Sequence, residues 1–198
     1  MFDEVLRAFK DRLLHPVARM LGPGCPPTAV SLLALTAGLA AAWLAAERRY
    51  EWAVSGWLLN RVLDGLDGAV ARVHGRTSDL GGYVDILCDF TVYALVPIGL
   101  VAGAPSPEAW RALAVLLASF YLNAVSWLYL SAVLERRGAT GQLTSLLMPP
   151  GLIAGTETIV FYTVFLLFPD HMVPLFLVMA ALVLIGVAQR LVWAGRRL

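Results

Sequence analysis

The sequence predicts an all-α membrane protein with six transmembrane helices and an N-terminal amphipathic helix at the membrane interface. Only 15% of its 198 residues are charged and 59% are hydrophobic, whereas soluble domains usually carry about 25% charged residues. Six segments come close to the roughly 20 apolar residues that cross a hydrocarbon core. The net charge of +1 gives no electrostatic reason to expect nucleic acid as a partner.

The first predicted element is a helix within residues 1–20. Phe2, Val5, Leu6, Phe9 and Leu13 recur at helical spacing, opposite a charged face. This pattern suits a helix lying in the interface plane. It equally suits a helix packed on the cytoplasmic face of the protein itself, and the two interpretations are compatible.

Six apolar segments follow, separated by short polar breaks. They run over 28–46, 52–72, 80–102, 108–134, 143–168 and 172–195. The second is unusual because four charged residues interrupt it. Since no internal repeat or low-complexity linker occurs, residues 1–198 are predicted to form one domain, in which 28–195 is a six-helix membrane bundle.

Positive charge predicts the topology. The side that would hold both chain ends carries most of the arginine and lysine residues, whereas the opposite side carries Arg48, Arg49 and Arg111. Loops rich in arginine and lysine stay in the cytoplasm. Both termini and the aspartate-rich end of the bundle are therefore predicted to be cytoplasmic, in the cytoplasmic membrane of a bacterium.

Four aspartates lie on the second and third predicted spans. Asp64 and Asp67 are spaced i, i+3, and Asp85 and Asp89 are spaced i, i+4, so each pair shares one helix face. The short connection at 75–80 predicts antiparallel neighbouring helices whose carboxylate faces meet. Each charge deep in a bilayer costs about 2.5–3.5 kcal/mol, and few helix-embedded cations are nearby to compensate.

Four hard oxygen ligands in one cleft predict divalent metal, in the form of two Mg²⁺ or Mn²⁺ ions. Paired metals act on the attacking and leaving oxygens in phosphoryl transfer. Gly65, Gly68 and Ala71 leave one side of the second span nearly bare, either for a phosphorylated ligand or for close helix packing. Arg72 suits a diphosphate clamp or a cytoplasmic topology anchor.

The run Asp64-x2-Asp67-Gly68-x2-Ala71-Arg72-x8-Gly81-x3-Asp85-x3-Asp89 resembles the signature of the CDP-alcohol phosphatidyltransferase family at every defining position. The resemblance implies an enzyme of phospholipid biosynthesis that binds CDP-diacylglycerol, or a soluble CDP-alcohol, and lets an acceptor hydroxyl displace CMP. It also implies membrane lipids as partners and a homodimer.

The resemblance assigns roles to the motif. Asp64 and Asp85 would bridge two metal ions, Asp67 would complete one metal site, and Asp89 would complete the other and act as general base. The cytidine diphosphate would be held by residues of the motif and its flanks, namely Thr28, Gly68, Ala71, Arg72, Ser78 and Gly81. Thr28 departs from the Asn or Asp that relatives often carry after the corresponding proline.

The acceptor is a small polar alcohol whose identity the sequence leaves open. Residues near the motif or in the cytoplasmic loops are candidates to contact it, namely Arg61, Arg76, Arg136, Arg137 and Glu157. For the loop arginines, topology and lipid headgroups are the alternative explanation. Glu157 belongs either to the acceptor pocket, where it could also pair with Arg61, or to a protonated structural site beside its threonine neighbours. His74 is expected to be solvated or to face headgroups.

Three functions are compatible with the motif and the apolar segments. The first is transfer of a phosphatidyl group from CDP-diacylglycerol to a small alcohol, and the second is transfer from a soluble CDP-alcohol to diacylglycerol. The third is a divalent cation transporter that uses the aspartates as its pathway. The lack of repeated halves and the clustering of all four aspartates toward one side of the membrane argue against transport.

Overall fold

The computed structural model describes residues 14–22, 24–137, 151, 153 and 155–198, and all regular structure within them is helical. The six longer helices are α1 (Pro27–Ala46), α2 (Tyr50–Val73), α3 (Asp79–Gly103), α4 (Pro107–Arg136), α5 (Gly155–Leu167) and α6 (Met172–Arg197), with a 3₁₀ turn at Pro169–His171. A further helical segment covers 14–21. Most of the N-terminal helix predicted within 1–20 lies outside the described residues.

Four of the described helices are long and apolar enough to cross a membrane, namely α1, α3, α4 and the segment Pro169–Arg197 that contains α6. Helix α2 matches the predicted second span in position, but its charged residues keep it out of this group. Helix α5 has 13 residues and begins at Gly155. The first part of the predicted fifth span, 143–150, lies outside the described residues. The all-helical membrane fold is confirmed, and six crossings stay a prediction.

The connection between α2 and α3 is short and has clear local causes. Gly75 adopts φ +62°, in the left-handed region that glycine enters without a Cβ clash. Ser78 then caps α3, because its side-chain oxygen accepts a hydrogen bond from the Gly81 N–H at 3.1 Å. A serine cap satisfies one of the unpaired donors of a first helical turn. The turn therefore sets the aspartate-bearing part of α3 beside the end of α2.

The described chain forms two compact units, of which the first comprises Met1–Pro105 and Tyr162–Pro169. In this unit α1 packs extensively against both α2 and α3. Gly99 and Gly103 of α3 lie directly against the backbone of Ala42 and Ala45, where a Cβ would overlap carbonyl oxygens. Such close approach of backbones is the usual effect of small residues in membrane helices. Helix α1 is thereby fixed against α3.

The carboxylate faces of α2 and α3 meet at Arg61, which contacts both Asp64 and Asp89, as the antiparallel arrangement predicted, but the backbones of the two helices are not closely packed. Both helices are described in full, and neither packs its backbone against the other as closely as α1 packs against each. The glycine contacts draw α3 toward α1 instead. Helices α2 and α3 meet through long side chains, and this wider separation leaves room for a cavity.

The second unit comprises Ser106–Phe161 and Asp170–Leu198, and within it α4 packs against α6. Ser106 caps α4 by accepting a hydrogen bond from the Ala109 N–H at 3.0 Å. The guanidinium of Arg190 on α6 is buried and donates hydrogen bonds to Ser126 and Asn123 of α4. These bonds tie the two helices together by polar contacts.

Candidate active site

A cavity of about 490 Å³ opens in the first unit, at the start of α1, the end of α2 and the first turns of α3. This volume falls within the range of about 300–1,000 Å³ that is usual for small-molecule sites. The cavity is lined by Pro26, Pro27, Thr28, Ser31, Asp67, Gly68, Ala71, Arg72, Arg76, Thr77, Ser78, Gly81, Gly82 and Asp85. All six residues predicted to hold the nucleotide are among them.

One wall of the cavity is electropositive. A Cβ built on Gly68 would meet Arg72 Nη1 at 3.1 Å, so the guanidinium folds back over the bare backbone of α2. The first turn of α3 supplies Ser78, Gly81 and Gly82 to the same cavity. A helix N-terminus carries partial positive charge and attracts phosphate groups. The cavity therefore combines a guanidinium and a helix N-terminus, both suited to a diphosphate.

Two of the predicted metal ligands line this cavity, namely Asp67 and Asp85. Asp67 is buried, and the Ser31 hydroxyl donates a hydrogen bond to its Oδ2 at 2.6 Å. Ser31 lies on α1, one turn beyond Thr28. Helix α1 therefore holds a carboxylate of α2 in a defined orientation at the cavity wall.

The other two predicted ligands are joined by Arg61. Its Nη2 donates to Asp89 Oδ1 at 2.8 Å, and its Nη1 lies 3.6 Å from Asp64 Oδ2. Each pair of carboxylates has an arginine of α2 close to it. Arg61 contacts Asp64 and Asp89, and Arg72 lines the cavity together with Asp67 and Asp85. Charge compensation is thus built into the fold.

The donor set fits hard divalent cations, because it consists of carboxylate oxygens from two facing helices. In the part of the chain that the structure describes, no three acidic, histidine or cysteine side chains converge closely enough to hold one ion. Asp64 and Asp89 are turned toward Arg61, and Asp67 is turned toward Ser31. Joint coordination therefore requires rotation of these carboxylates about their side-chain bonds.

Several residues around Arg61 were missed by sequence reasoning. Asn60 accepts a hydrogen bond from Arg61 Nε at 2.7 Å, and the Tyr93 hydroxyl accepts one from Arg61 Nη1 at 2.9 Å. The Trp57 ring centre lies 4.8 Å from the guanidinium carbon. Tyr93 lies one helical turn from Asp89, and Trp57 lies one helical turn from Arg61, so each is close to a polar residue that the sequence had identified. That spacing was the available signal, but it is equally common in ordinary packing.

The predicted acceptor residues lie in different places. Arg76 lines the cavity, whereas the buried Arg61 does not. The remaining three belong to the second unit. Arg136 ends α4, Arg137 donates a hydrogen bond to the Leu198 carbonyl at 3.1 Å, and Glu157 lies in the first turn of α5 rather than in the middle of a span.

His74 is half-buried and has a hydrogen-bond partner within the protein, which the sequence did not predict. Its Nε2 lies 3.1 Å from the carbonyl oxygen of Ala18, so the ring contacts the protein rather than standing free in solvent. Ala18 is itself buried in a small cluster with Val70 and Leu66. The helical segment 14–21 thereby packs against the end of α2, where folding brings together residues far apart in sequence.

The model of the CDP-alcohol phosphatidyltransferase family matches residues 25–192. The chain belongs to this family. It is 36% identical to the inner membrane protein YnjF of Escherichia coli K12, over 98% of this chain and 95% of that protein. It is also 32% identical over 89 residues to the CDP-diacylglycerol–serine O-phosphatidyltransferase of Mycobacterium leprae, and this aligned region covers 43% of this chain and 30% of that enzyme.

The fold resembles that of the phosphatidylinositol phosphate synthase of Mycobacterium tuberculosis. The structure of that enzyme with manganese and citrate gives a TM-score of 0.70 at 24% identity, over 92% of this chain and 88% of the other. The structure with bound CDP-diacylglycerol gives a TM-score of 0.65 at 24% identity, over 91% and 92%. At these identities the likeness shows the fold alone.

The predicted family and enzyme class are therefore confirmed, since members of the family are phosphatidyltransferases. The apolar helices and the name of the E. coli relative agree that this is a membrane protein.

Proposed function

We propose that this chain transfers the phosphatidyl group of CDP-diacylglycerol to the hydroxyl of a small polar alcohol and releases CMP, as a step of phospholipid biosynthesis. The observation that supports it most is the cavity, because the residues matching the family motif for the nucleotide share its walls with two carboxylates. The M. tuberculosis neighbour, which was crystallised with CDP-diacylglycerol, gives further support.

In this proposal the cytidine diphosphate occupies the cavity. Arg72 donates to the diphosphate, and the first turn of α3, including Ser78 and Gly81, offers backbone N–H groups to it. Gly68 and Ala71 present little side-chain bulk on the neighbouring turn of α2. Thr28, at the start of α1, takes the position where relatives carry Asn or Asp and offers a hydroxyl to the nucleotide.

Asp64, Asp67, Asp85 and Asp89 would hold two divalent ions, Mg²⁺ or Mn²⁺. When bound, such ions neutralise the negative charge that develops on the diphosphate during transfer. Asp89 accepts the proton of the acceptor hydroxyl while the hydroxyl oxygen attacks the phosphorus that carries the diacylglycerol. The new O–P bond forms, the bond from that phosphorus to the CMP oxygen breaks, and CMP departs with the bonding electrons.

The acceptor enters from the side of the cavity that Arg76 lines, where a guanidinium is available to it. Arg136, Arg137 and Glu157 remain candidate acceptor contacts. We further propose that residues 1–198 act as one domain with six membrane crossings, and that both termini and the site face the cytoplasm. A homodimer belongs to the same proposal. Transport of metal ions loses its support once the chain is placed in a family of enzymes.

The direct test is CMP release by the purified protein in detergent, with CDP-diacylglycerol and Mn²⁺ or Mg²⁺. The acceptor panel contains glycerol 3-phosphate, inositol phosphate, inositol, serine and glycerol. Release with one acceptor that EDTA abolishes would identify the reaction and its product. Competition by CDP-choline against CDP-diacylglycerol would favour a soluble CDP-alcohol as donor. Absence of both turnover and metal-dependent CDP binding would refute the proposal.

A further inference from the structure

Arg61 is a buried cation for which the proposed chemistry has no direct use. It is 7% exposed and does not line the cavity, whereas Arg72 and Arg76 do. A diphosphate or an anionic acceptor in the cavity would meet those two exposed guanidinium groups. Arg61 is therefore placed to act on other residues of the protein rather than on a substrate.

The Arg61 guanidinium bridges carboxylates from two helices. Nη2 contacts Asp89 Oδ1 on α3 at 2.8 Å, and Nη1 lies 3.6 Å from Asp64 Oδ2 on α2. Because α2 and α3 lack close backbone packing with each other, this side-chain bridge helps to set the separation of the two carboxylates. It also compensates part of their negative charge.

The guanidinium is itself held by the protein. Arg61 Nε donates to Asn60 Oδ1 at 2.7 Å, and Asn60 Nδ2 donates in turn to the Ala34 carbonyl of α1 at 2.7 Å. Nη1 donates to the Tyr93 hydroxyl at 2.9 Å. These bonds use separate edges of the planar guanidinium, a geometry that a lysine ammonium cannot reproduce.

Aromatic rings complete the enclosure. The guanidinium carbon lies 4.8 Å from the Trp57 ring centre and 5.1 Å from that of Tyr93, within reach of cation–π attraction. Trp57 stacks on Tyr162 at 4.9 Å and donates to the Thr163 hydroxyl at 3.2 Å. Arg61 is thus fixed before any ligand arrives.

We propose that Arg61 is a positioning residue that holds the carboxylates of Asp64 and Asp89 beside each other before metal arrives and competes, through its charge, with divalent cations for these two carboxylates. This rests on the proposed function of Asp64 and Asp89 as metal ligands. A fixed positive charge beside two ligands repels an incoming dication. The residue therefore weakens metal binding while it improves the placement of Asp89 for proton transfer.

The test is the variant Arg61→Gln, purified in detergent and titrated with Mn²⁺ in the absence of nucleotide. Electron paramagnetic resonance measures the free Mn²⁺ that remains, and the bound fraction gives the affinity. We expect about tenfold tighter Mn²⁺ binding, since the competing charge is gone. We expect kcat for CMP release to fall about a hundredfold, as misplacement of a reacting group by about 1 Å does. The KM for the acceptor should not change.

Three outcomes would overturn the inference. Mn²⁺ affinity that stays equal or weakens would mean that Arg61 does not compete with the metal. A raised acceptor KM with unchanged Mn²⁺ affinity would make Arg61 an acceptor contact. A purely structural role would lower the number of binding-competent molecules without tightening the affinity of those that remain, which the binding stoichiometry detects.

Two milder variants separate charge from geometry and cover the case in which Arg61→Gln does not fold. Arg61→Lys retains the charge, so Mn²⁺ affinity should stay within about twofold of wild type while kcat falls. Tyr93→Phe removes only the hydroxyl that accepts from Nη1 and should lower kcat about fivefold with unchanged Mn²⁺ affinity. Wild-type kcat in both would contradict the positioning role.

Arg111→Gln is the matched control. Arg111 pairs with Glu108 at 2.6 Å, and both side chains are exposed, so the variant removes one arginine charge whose partner is not an aspartate of the site and should behave as wild type. The two proposals fail in different ways. Wild-type protein that binds Mn²⁺ but releases no CMP with any donor would refute the proposed function, whereas tighter Mn²⁺ binding by Arg61→Gln would still support the competing charge.

Discussion

Two buried arginines, one in each compact unit, have opposite surroundings. Arg61 is 7% exposed and Arg190 is 4% exposed. Arg61 is paired with the carboxylates of Asp64 and Asp89. In the part of the chain that the structure describes, the hydrogen-bond partners of Arg190 are the neutral side chains of Asn123 and Ser126.

The difference shows that a buried cation in a membrane helix does not by itself indicate a functional site. The donors of a buried guanidinium must be satisfied in either case, because an unsatisfied polar group in an apolar medium is costly. Amide and hydroxyl oxygens meet that demand at Arg190. The carboxylates at Arg61 meet it as well, and they also supply oxygens that can bind a cation or take a proton.

The largest effect is expected when a charged partner of Arg61 is replaced by a neutral amide, the kind of partner that Arg190 has. Asp89→Asn replaces the carboxylate by an amide whose oxygen can still accept the hydrogen bond from Arg61. We expect CMP release to fall about a thousandfold, within the range typical for loss of a general base, with little change in thermal stability. Turnover assays and thermal unfolding in detergent measure the two quantities.

Asp79→Asn is the control for Asp89→Asn, because Asp79 is an exposed aspartate in the first turn of the same helix. It should retain nearly full turnover. Near-normal CMP release by Asp89→Asn would remove the distinction between the two arginine environments and the role proposed for Asp89.

The second effect concerns the stability of the other unit. Arg190→Met leaves the polar groups of Asn123 and Ser126 without their donor, and we expect a loss of about 2 kcal/mol in the free energy of unfolding. Adding Asn123→Leu should recover part of this loss, since replacing both partners by apolar groups can be nearly neutral. Reversible unfolding in mixed detergent measures both, and equal stability of all three proteins would contradict the prediction.

A smaller effect is expected at Ser31. Ser31→Ala removes the hydroxyl that donates to Asp67 Oδ2 at 2.6 Å, so this carboxylate loses its orientation at the cavity wall. We expect kcat/KM to fall about tenfold, the size of one hydrogen bond to a charged group. Ser55→Ala is the control, because that exposed hydroxyl donates only to the Glu51 carbonyl of its own helix. An equal effect of the two substitutions would contradict the prediction.

The smallest effect is expected at Gly68. In Gly68→Ala the new Cβ would meet Arg72 Nη1 at 3.1 Å, which displaces the flexible end of that side chain. Calorimetry with CDP and Mn²⁺ should show a severalfold weaker affinity, whereas stability should rise slightly because alanine favours helix. Gly195→Ala provides the same gain in helix propensity with nothing within 4 Å of the added Cβ, and should leave CDP affinity unchanged.

Much of the site could be predicted because its chemistry is local. The four aspartates recur at helical spacing, and Gly68, Arg72, Ser78 and Gly81 follow at the family's intervals, so a linear pattern was sufficient to find them. Ser31, Asn60 and Tyr93 could not be found in this way. Their importance comes from the residues that they meet across helices, and their types are common on any half-buried helix face.

The sequence by itself determined the all-helical membrane fold, the family and the set of carboxylates, since these depend on composition, periodicity and spacing along one chain. Only the tertiary structure decided how the site is held together. Glycines in α3 allow close contact with α1, α2 stands further from α3 than its short connection suggests, and the gap contains both the cavity and the Arg61 bridge. Side-chain partners across that gap depend on how three helices pack against one another, and packing is a property of the whole unit rather than of any segment.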